Sequence, residues 1–545
     1  MNLRQTIRLA LAVPAMATLV ACGGSGGNNT LVADTACPAV GNLTVTDLGV
    51  SQCQVTGTLT EDAIMSSAVT WFLEGKLQIG DMSSAAILDI DAGTQIRGDN
   101  AGATDHVLVF PGSALQANGT SAAPVQFLSD DANVSGSGEW GGVFLRGFNG
   151  TTLTAATQGV NDLDYVVVAE AGASVDVSLN GEPAVTYQDN IVVNGVDSTT
   201  TLTFVQSHNS ARDGFHILNG DPRMAWLLAT GSGRDGVWYR DFRGLIKDLM
   251  VIHSSDIDGS TGRAGIYASE SISFDVNEGS NPRIVNATLV GRDDSSEDGN
   301  GNVADNEVGI IFADNTDQIR LANVLIANFR NGCYEANDGA DLTGIDTTIP
   351  GPTYLDGVHC THEADVNSNF AIVRGSAIAG FPVGTVAANN SNGNGLVYYG
   401  GPGPEIMGPG NSNTFNAAAG GINFTGEIQD RTGNFTAGWY LDNLRGLGNG
   451  LTGNAAFLNG FLDGNTNRDG NVTGGGIGIV DAADTNSPFI ISAAMPFNLD
   501  VADDTFGYDL THIGAVRGGA VTNTQFDGWT VATGNDDGFA VQFVP

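Results

Sequence analysis

Basic residues are scarce. The 545-residue chain has 21 Lys and Arg against 60 Asp and Glu, and its only lysines are Lys76 and Lys247. A formal net charge of −39 repels phosphate backbones and anionic headgroups, which excludes nucleic acid as a partner and any membrane contact made through a basic surface. Charge of both signs is low, at 15 % of the chain against about 25 % in ordinary soluble domains. The polar surface must therefore be built from Asn, Asp, Ser, Thr and Gly, which favour turns over helices. Sustained helical periodicity is missing, and so are a Gly-x-Ser-x-Gly elbow, a phosphate-binding loop and a dinucleotide fingerprint. What is present is 41 % hydrophobic residues and 76 glycines, enough apolar material for a large core and too much for a disordered acidic tail.

The N-terminus has the three-part layout of an export signal. Arg4 and Arg8 precede an apolar run over 9–20, and Leu19-Val20-Ala21-Cys22 closes it on small residues before a cysteine. The run is too short to span a bilayer stably. The closing tetrapeptide resembles the lipobox of bacterial lipoproteins. That resemblance implies removal of 1–21 and fatty acylation of Cys22, and several acyl chains anchor firmly because each buried CH₂ contributes about 0.8 kcal/mol. Residues 22–35 continue as a Gly/Ser/Asn tether. Gly23, rather than Asp, after the cysteine resembles lipoproteins sorted to the bacterial outer membrane, which is the expected location, on either face. With Cys22 taken, Cys37, Cys53, Cys333 and Cys360 remain. Four cysteines in an oxidising compartment allow three connectivities, and the local pairs Cys37–Cys53 and Cys333–Cys360 are the expected ones.

Short apolar runs recur along the body, at 107–110, 125–128, 143–145, 202–205 and 249–252 among others, each ended by Gly, Asn, Asp or Pro. Their length and β-branched content predict strands. The stretch from Phe204 to Arg212-Asp213-Gly214 repeats 22 residues on as Trp226 to Arg234-Asp235-Gly236, and a further copy ends in Asp258-Gly259. A fixed period in the twenties predicts a solenoid, and without a leucine-asparagine framework it predicts a β-solenoid. The expected body is all-β, a parallel β-helix over 36–400 with loop insertions. Residues 401–545 are expected to be a Gly/Asn-rich continuation or a C-terminal cap.

The segments 71–80, 86–98 and 115–128, with Gly119-Thr120 leading to Pro124, and then Trp140-Gly141-Gly142-Val143, resemble the opening coils of bacterial secreted and lipoprotein right-handed parallel β-helix proteins, a pectate-lyase-like group. The resemblance continues through 194–236 and returns at 513–516 and 528–530. It implies the fold rather than an activity, because the group has no common function. Arg212 and Arg234 stand where such relatives often carry a second aspartate.

Three constellations could carry chemistry. Asp213, Asp235 and Asp258, at one phase of successive coils, would stack about 4.8 Å apart and require Arg212 and Arg234, a cation, or solvent to offset their repulsion. In pectate-lyase-like enzymes coil-borne aspartates hold Ca²⁺ on an acidic sugar and an Arg or Lys takes a proton, a role the resemblance would give to Arg212 or Arg234. His208, His216 and His253 near this ladder read as hydrogen-bonded surface residues. Asp463, Asn465, Asn467 and Asp469, with Gly470 at the turn, are similar to the first part of an EF-hand loop, and Asp298, Asn300 and Asn302 form a looser version; Gly476 stands where a bidentate Glu would complete the first. Ca²⁺ is the expected cofactor. His359, Cys360 and His362 have a spacing that suits zinc, against which Cys333 is the expected partner of Cys360. The leading expectation is a non-catalytic surface body that binds glycan or other envelope components, or is structural. The alternative is a polysaccharide lyase or glycoside hydrolase that uses the coil-borne aspartates with Ca²⁺.

Overall fold

A computed structural model describes residues 35–130, 137–148, 159–178, 184–253, 263–271 and 279–290, strand segments between 307 and 375, and Ala515, Trp529 and Thr530. Cys22, Asp258, Asp298, Asn300, Asn302, Cys333, Asp463, Asn465, Asn467 and Asp469 lie outside them.

The described body is all-β and forms a parallel coil of three sheets. Sheet A stacks His106–Val109, Gly142–Arg146, Ile191–Asn194, Phe215–Gly220, Val237–Phe242, Arg263–Ser269 and Glu307–Phe312, each parallel to the next. Sheets B and C come from the two halves of longer strands, Asp162–Ala169, Thr201–His208, Arg223–Thr230, Leu245–Ile252 and Arg283–Val290. One step in coil position is 22 residues from Asp213 to Asp235 and 24 from Asp189 to Asp213.

Alternation places one row of each strand in the lumen. Val143, Ile191, Phe215, Val237 and Ile266 form such a row in sheet A, Leu163, Leu202, Met224, Ile246 and Ile284 in sheet B, and Val166, Val205, Leu227, Leu249 and Ala287 in sheet C, all fully buried. No coil can bury its inner face alone, so stacking supplies the core. Fully burying side chains of this size contributes roughly 1.5–3 kcal/mol each.

Each corner carries a residue with left-handed backbone. Between sheets B and C these are Tyr165, Phe204, Trp226, Asp248 and Asn286, with φ of 50, 53, 54, 54 and 55°. Between C and A they are Glu170, Asn209 and Gly231, and between A and B Gly195, Asn219 and Asp241. Asn, Asp and Gly tolerate this conformation, whereas bulky residues rarely do. Tyr165, Phe204 and Trp226 offset the cost by stacking face to face, with centroids 4.3 and 4.4 Å apart and planes within 4°.

At the N-terminal end, Gln52–Leu59 pairs in parallel with Thr70–Ile79 and antiparallel with Thr44–Gly49. The outer strand carries a register shift between Asp47 and Gly49, a device that blunts an open sheet edge. A Cys37–Cys53 disulfide ties the preceding segment to this cap. Cys360 lies in the strand His359–Thr361, its backbone opposite Ile326.

Candidate functional site

The Arg-Asp-Gly repeat lies where sheet C turns into sheet A. The register assigns one column to Asp105, Gly141, Asp189, Asp213, Asp235 and Ala264, each two residues before matched positions of sheet A. The ladder therefore has a rung that sequence comparison misses, Asp189, and its place after Asp235 is held by Ala264 rather than Asp258. The step from Asp235 to Ala264 is 29 residues, longer than the 22 and 24 of the two steps before it.

Each carboxylate closes the next coil. Asp213 N–H donates to Asp189 Oδ1 at 3.0 Å, Asp235 N–H to Asp213 Oδ1 at 3.2 Å, and Ala264 N–H to Asp235 Oδ1 at 2.7 Å. Arg234 lies between two rungs. Its Nε donates to Asp213 Oδ1 at 2.8 Å and its Nη2 to Asp213 Oδ2, while Nε is 3.0 Å from Asp235 Oδ2. His216 Nδ1 is 2.9 Å from Asp189 Oδ2 and 3.4 Å from Asp213 Oδ2. Gly214 and Gly236 follow the aspartates because a Cβ there would press on Ala229 and Val251 across the lumen.

Burial sets the electrostatics. Asp213 and Asp235 are 0 % exposed and Asp189 is 2 % exposed, whereas the His216 and Arg234 side chains retain 14 and 20 %. Burial works against ionisation of Asp213, but the adjacent Arg234 and His216 outweigh it and hold its carboxyl well below the usual range. Asp235 goes the other way: burial and the Asp213 charge raise it well above the usual range despite Arg234. Burial also works against His216, yet Asp189 and Asp213 lift its imidazolium to about 9. Arg234, desolvated but held by Asp213 and Asp235, is pushed above its ordinary value.

This arrangement limits the chemistry. Asp189, Asp213 and Asp235 are sealed within the coil, and Arg234 is held between Asp213 and Asp235, which keeps its guanidinium protonated. Arg212 is half-buried, and its carbonyl accepts the Arg234 N–H at 2.8 Å. Asp189, Asp213 and His216 offer donor atoms within 4.8 Å of one another, a set that suits a divalent cation by donor type. Such an ion would have to displace the His216 proton beside a fixed guanidinium. His208 and His253 are 1 % exposed, buried rather than on the surface; burial lowers His208 to about 3, with Nδ1 at 2.7 Å from Thr230 Oγ1.

The outer face of sheet A beside the ladder carries a row of rings. His216 and Trp238 have centroids 4.3 Å apart, Trp238 and Tyr267 6.1 Å, and Arg240 lies 5.3 Å over Trp238. A hairpin of Val175–Val177 and Val185–Tyr187 continues the row over Phe144. Trp238 is 9 % exposed, so its faces are spent on neighbouring coils and little is left for a sugar to stack on.

No curated protein and no solved structure matches this chain. A family model described as a pectate-lyase like beta helix domain matches residues 57–395, which takes in every coil whose register is given above. The stacked parallel sheets and this match agree, and the chain belongs to the pectate-lyase-like β-helix family.

Proposed function

We propose that this protein is an exported, lipid-anchored cell-envelope protein whose solenoid works without catalysis, as a binding or structural body on the bacterial outer membrane. The observation that carries the non-catalytic reading is the sealing of Asp213 and Asp235, whose oxygens are spent on the next coil and on Arg234. The lipobox at Cys22 and the tether behind it support the location, and the net charge of −39 favours neutral glycans or envelope components over nucleic acid. The test is turnover of a panel of uronic-acid and neutral polysaccharides by the purified body, with Ca²⁺ and with chelator, alongside glycan-array binding. No turnover is expected. Activity that Asp235→Ala abolishes while the fold is kept would overturn the reading.

A second reading, a Ca²⁺-dependent polysaccharide lyase or hydrolase, is favoured by the convergence of Asp189, Asp213 and His216. Ca²⁺ at the Asp463–Asp469 and Asp298–Asn302 loops belongs with either reading. Millimolar Ca²⁺ is expected to raise the thermal unfolding midpoint, because a ligand that binds only the folded state stabilises it; an unchanged midpoint would remove the loops from consideration.

A further inference from the structure

We propose that the stretch carrying Ala515 and Trp529 is an intramolecular strap seated on the outer face of sheet C, which is built to be covered.

Alternation first defines that face. Ala229 and Val251 lie across the lumen from Gly214 and Gly236, so their neighbours Leu228, Thr230, Met250 and Ile252 point outward. By register the same outward rows hold Val167, Gln206, Thr288 and His208. On a solvent-facing sheet these positions are polar and exposed. Here Val167, Gln206, Leu228, Met250 and Thr288 are all 0 % exposed. Sheet B is open in the first two of these coils, where its outward Asp162, Asp164, Thr201 and Thr203 are partly exposed and bonded to one another, Thr201 to Asp162 at 2.7 Å and Thr203 to Asp164 at 2.8 Å, and is covered in the later ones at Ala225, Leu245, Lys247 and Val285. Sheet C is thus covered on its outer side along all five coils, including the two in which sheet B is open.

Two independent contacts identify that occupant as this chain's own C-terminal part. Ala515 N–H donates to the outward Thr288 Oγ1 at 2.8 Å across a sequence separation of 227, and Ala515 is fully buried. Trp529, 1 % exposed, stands edge-on to the corner stack, 5.9 Å and 88° from Tyr165 and 6.3 Å and 86° from Phe204. Both residues join the apolar cluster that includes Val167, Leu228 and Met250. They lie beyond the family match, which ends at 395, so the strap is an addition to the coil domain. At Ala515 and Trp529 the later chain rests against the side of coils laid down 227 or more residues earlier.

Trp529→Ala in the full chain, with hydrogen exchange followed by mass spectrometry, tests the seat of the strap. Exchange is expected to quicken about tenfold or more in 165–169 and 204–208, with 237–242 of sheet A unchanged as the internal control, and dye binding to exposed apolar surface should rise. Trp529→Phe should restore most of the protection. Unchanged exchange in the Trp529→Ala protein would overturn the proposal. A second variant, Thr288→Cys with Ala515→Cys, decides whose strap it is. Oxidation should yield an internally crosslinked monomer; crosslinks found only between copies, or none, would refute an intramolecular strap.

Discussion

At residue scale the ladder is a charge problem solved inside the fold. Breaking a buried ion pair costs about 3–5 kcal/mol because it strands the partner charge, and Arg234 is partner to two acids. Asp235 separates two roles that one side chain performs. Its Oδ1 accepts the Ala264 N–H, while its charge is disfavoured by burial and by Asp213. Asp235→Asn keeps an acceptor and removes the charge, so it is expected to be nearly neutral in stability, whereas Asp235→Ala should cost about 1–3 kcal/mol for an orphaned buried donor. Denaturant unfolding of the two variants checks this, and equal losses would contradict it. His216 predicts the alkaline limb. A group whose folded pKa is raised stabilises fully below its unfolded value near 6.5 and loses that contribution as pH rises through about 9. The unfolding midpoint should therefore fall between those pH values, and His216→Gln should flatten the fall. His208 has the opposite sign. Lowered to about 3, it contributes above its ordinary pKa and that contribution is lost as pH drops from about 6.5 towards 3.

At element scale the unusual feature is that one left-handed residue turns each long strand from sheet B into sheet C. For most side chains this backbone costs about 1–2 kcal/mol relative to the ordinary one. Phe204 accepts that cost while sitting between Tyr165 and Trp226. Both Phe204→Ala and Phe204→Gly lose the stack, but only Gly relieves the backbone. The glycine variant should be the more stable of the two by about 1 kcal/mol, reversing the usual order within a strand. Thermal unfolding of the pair checks it, and a more stable alanine variant would show that the corner carries no strain. Asp248 and Asn286 continue the column with residues suited to it, and there Lys247 lies 5.1 Å over Trp226 and 3.2 Å from Asp248, closing the stack with a cation.

At the scale of the whole molecule stability passes from coil to coil, so the ends matter most. The Cys37–Cys53 bridge spans 16 residues, and closing a loop of that size is worth about 3 kcal/mol in the chain-entropy view. Reduction, or Cys37→Ser with Cys53→Ser, is expected to lower the unfolding midpoint and to speed hydrogen exchange first in Gln52–Leu59. Protection lost evenly along the body would instead mean that the coils melt as one unit.

The sequence by itself determined the class of this fold. The offset of 22 between Phe204 and Trp226 is the spacing of stacked coils, because alternation and turn chemistry act locally and repeat in register. The same local signals marked Arg-Asp-Gly as a corner and favoured, among three possible connectivities, the Cys37–Cys53 pair that the structure forms. They could not find Asp189, which precedes Asn190 rather than glycine and sits 24 residues before Asp213. Nor could they tell that the longer coil after Asp235 puts Ala264 in phase. Only the tertiary structure decided those, along with the sealing of the ladder and the seat of Trp529 against Tyr165 and Phe204. Phase between coils, burial and charge balance depend on which distant residues are brought together, and a period along the chain carries no information about what later crosses its side.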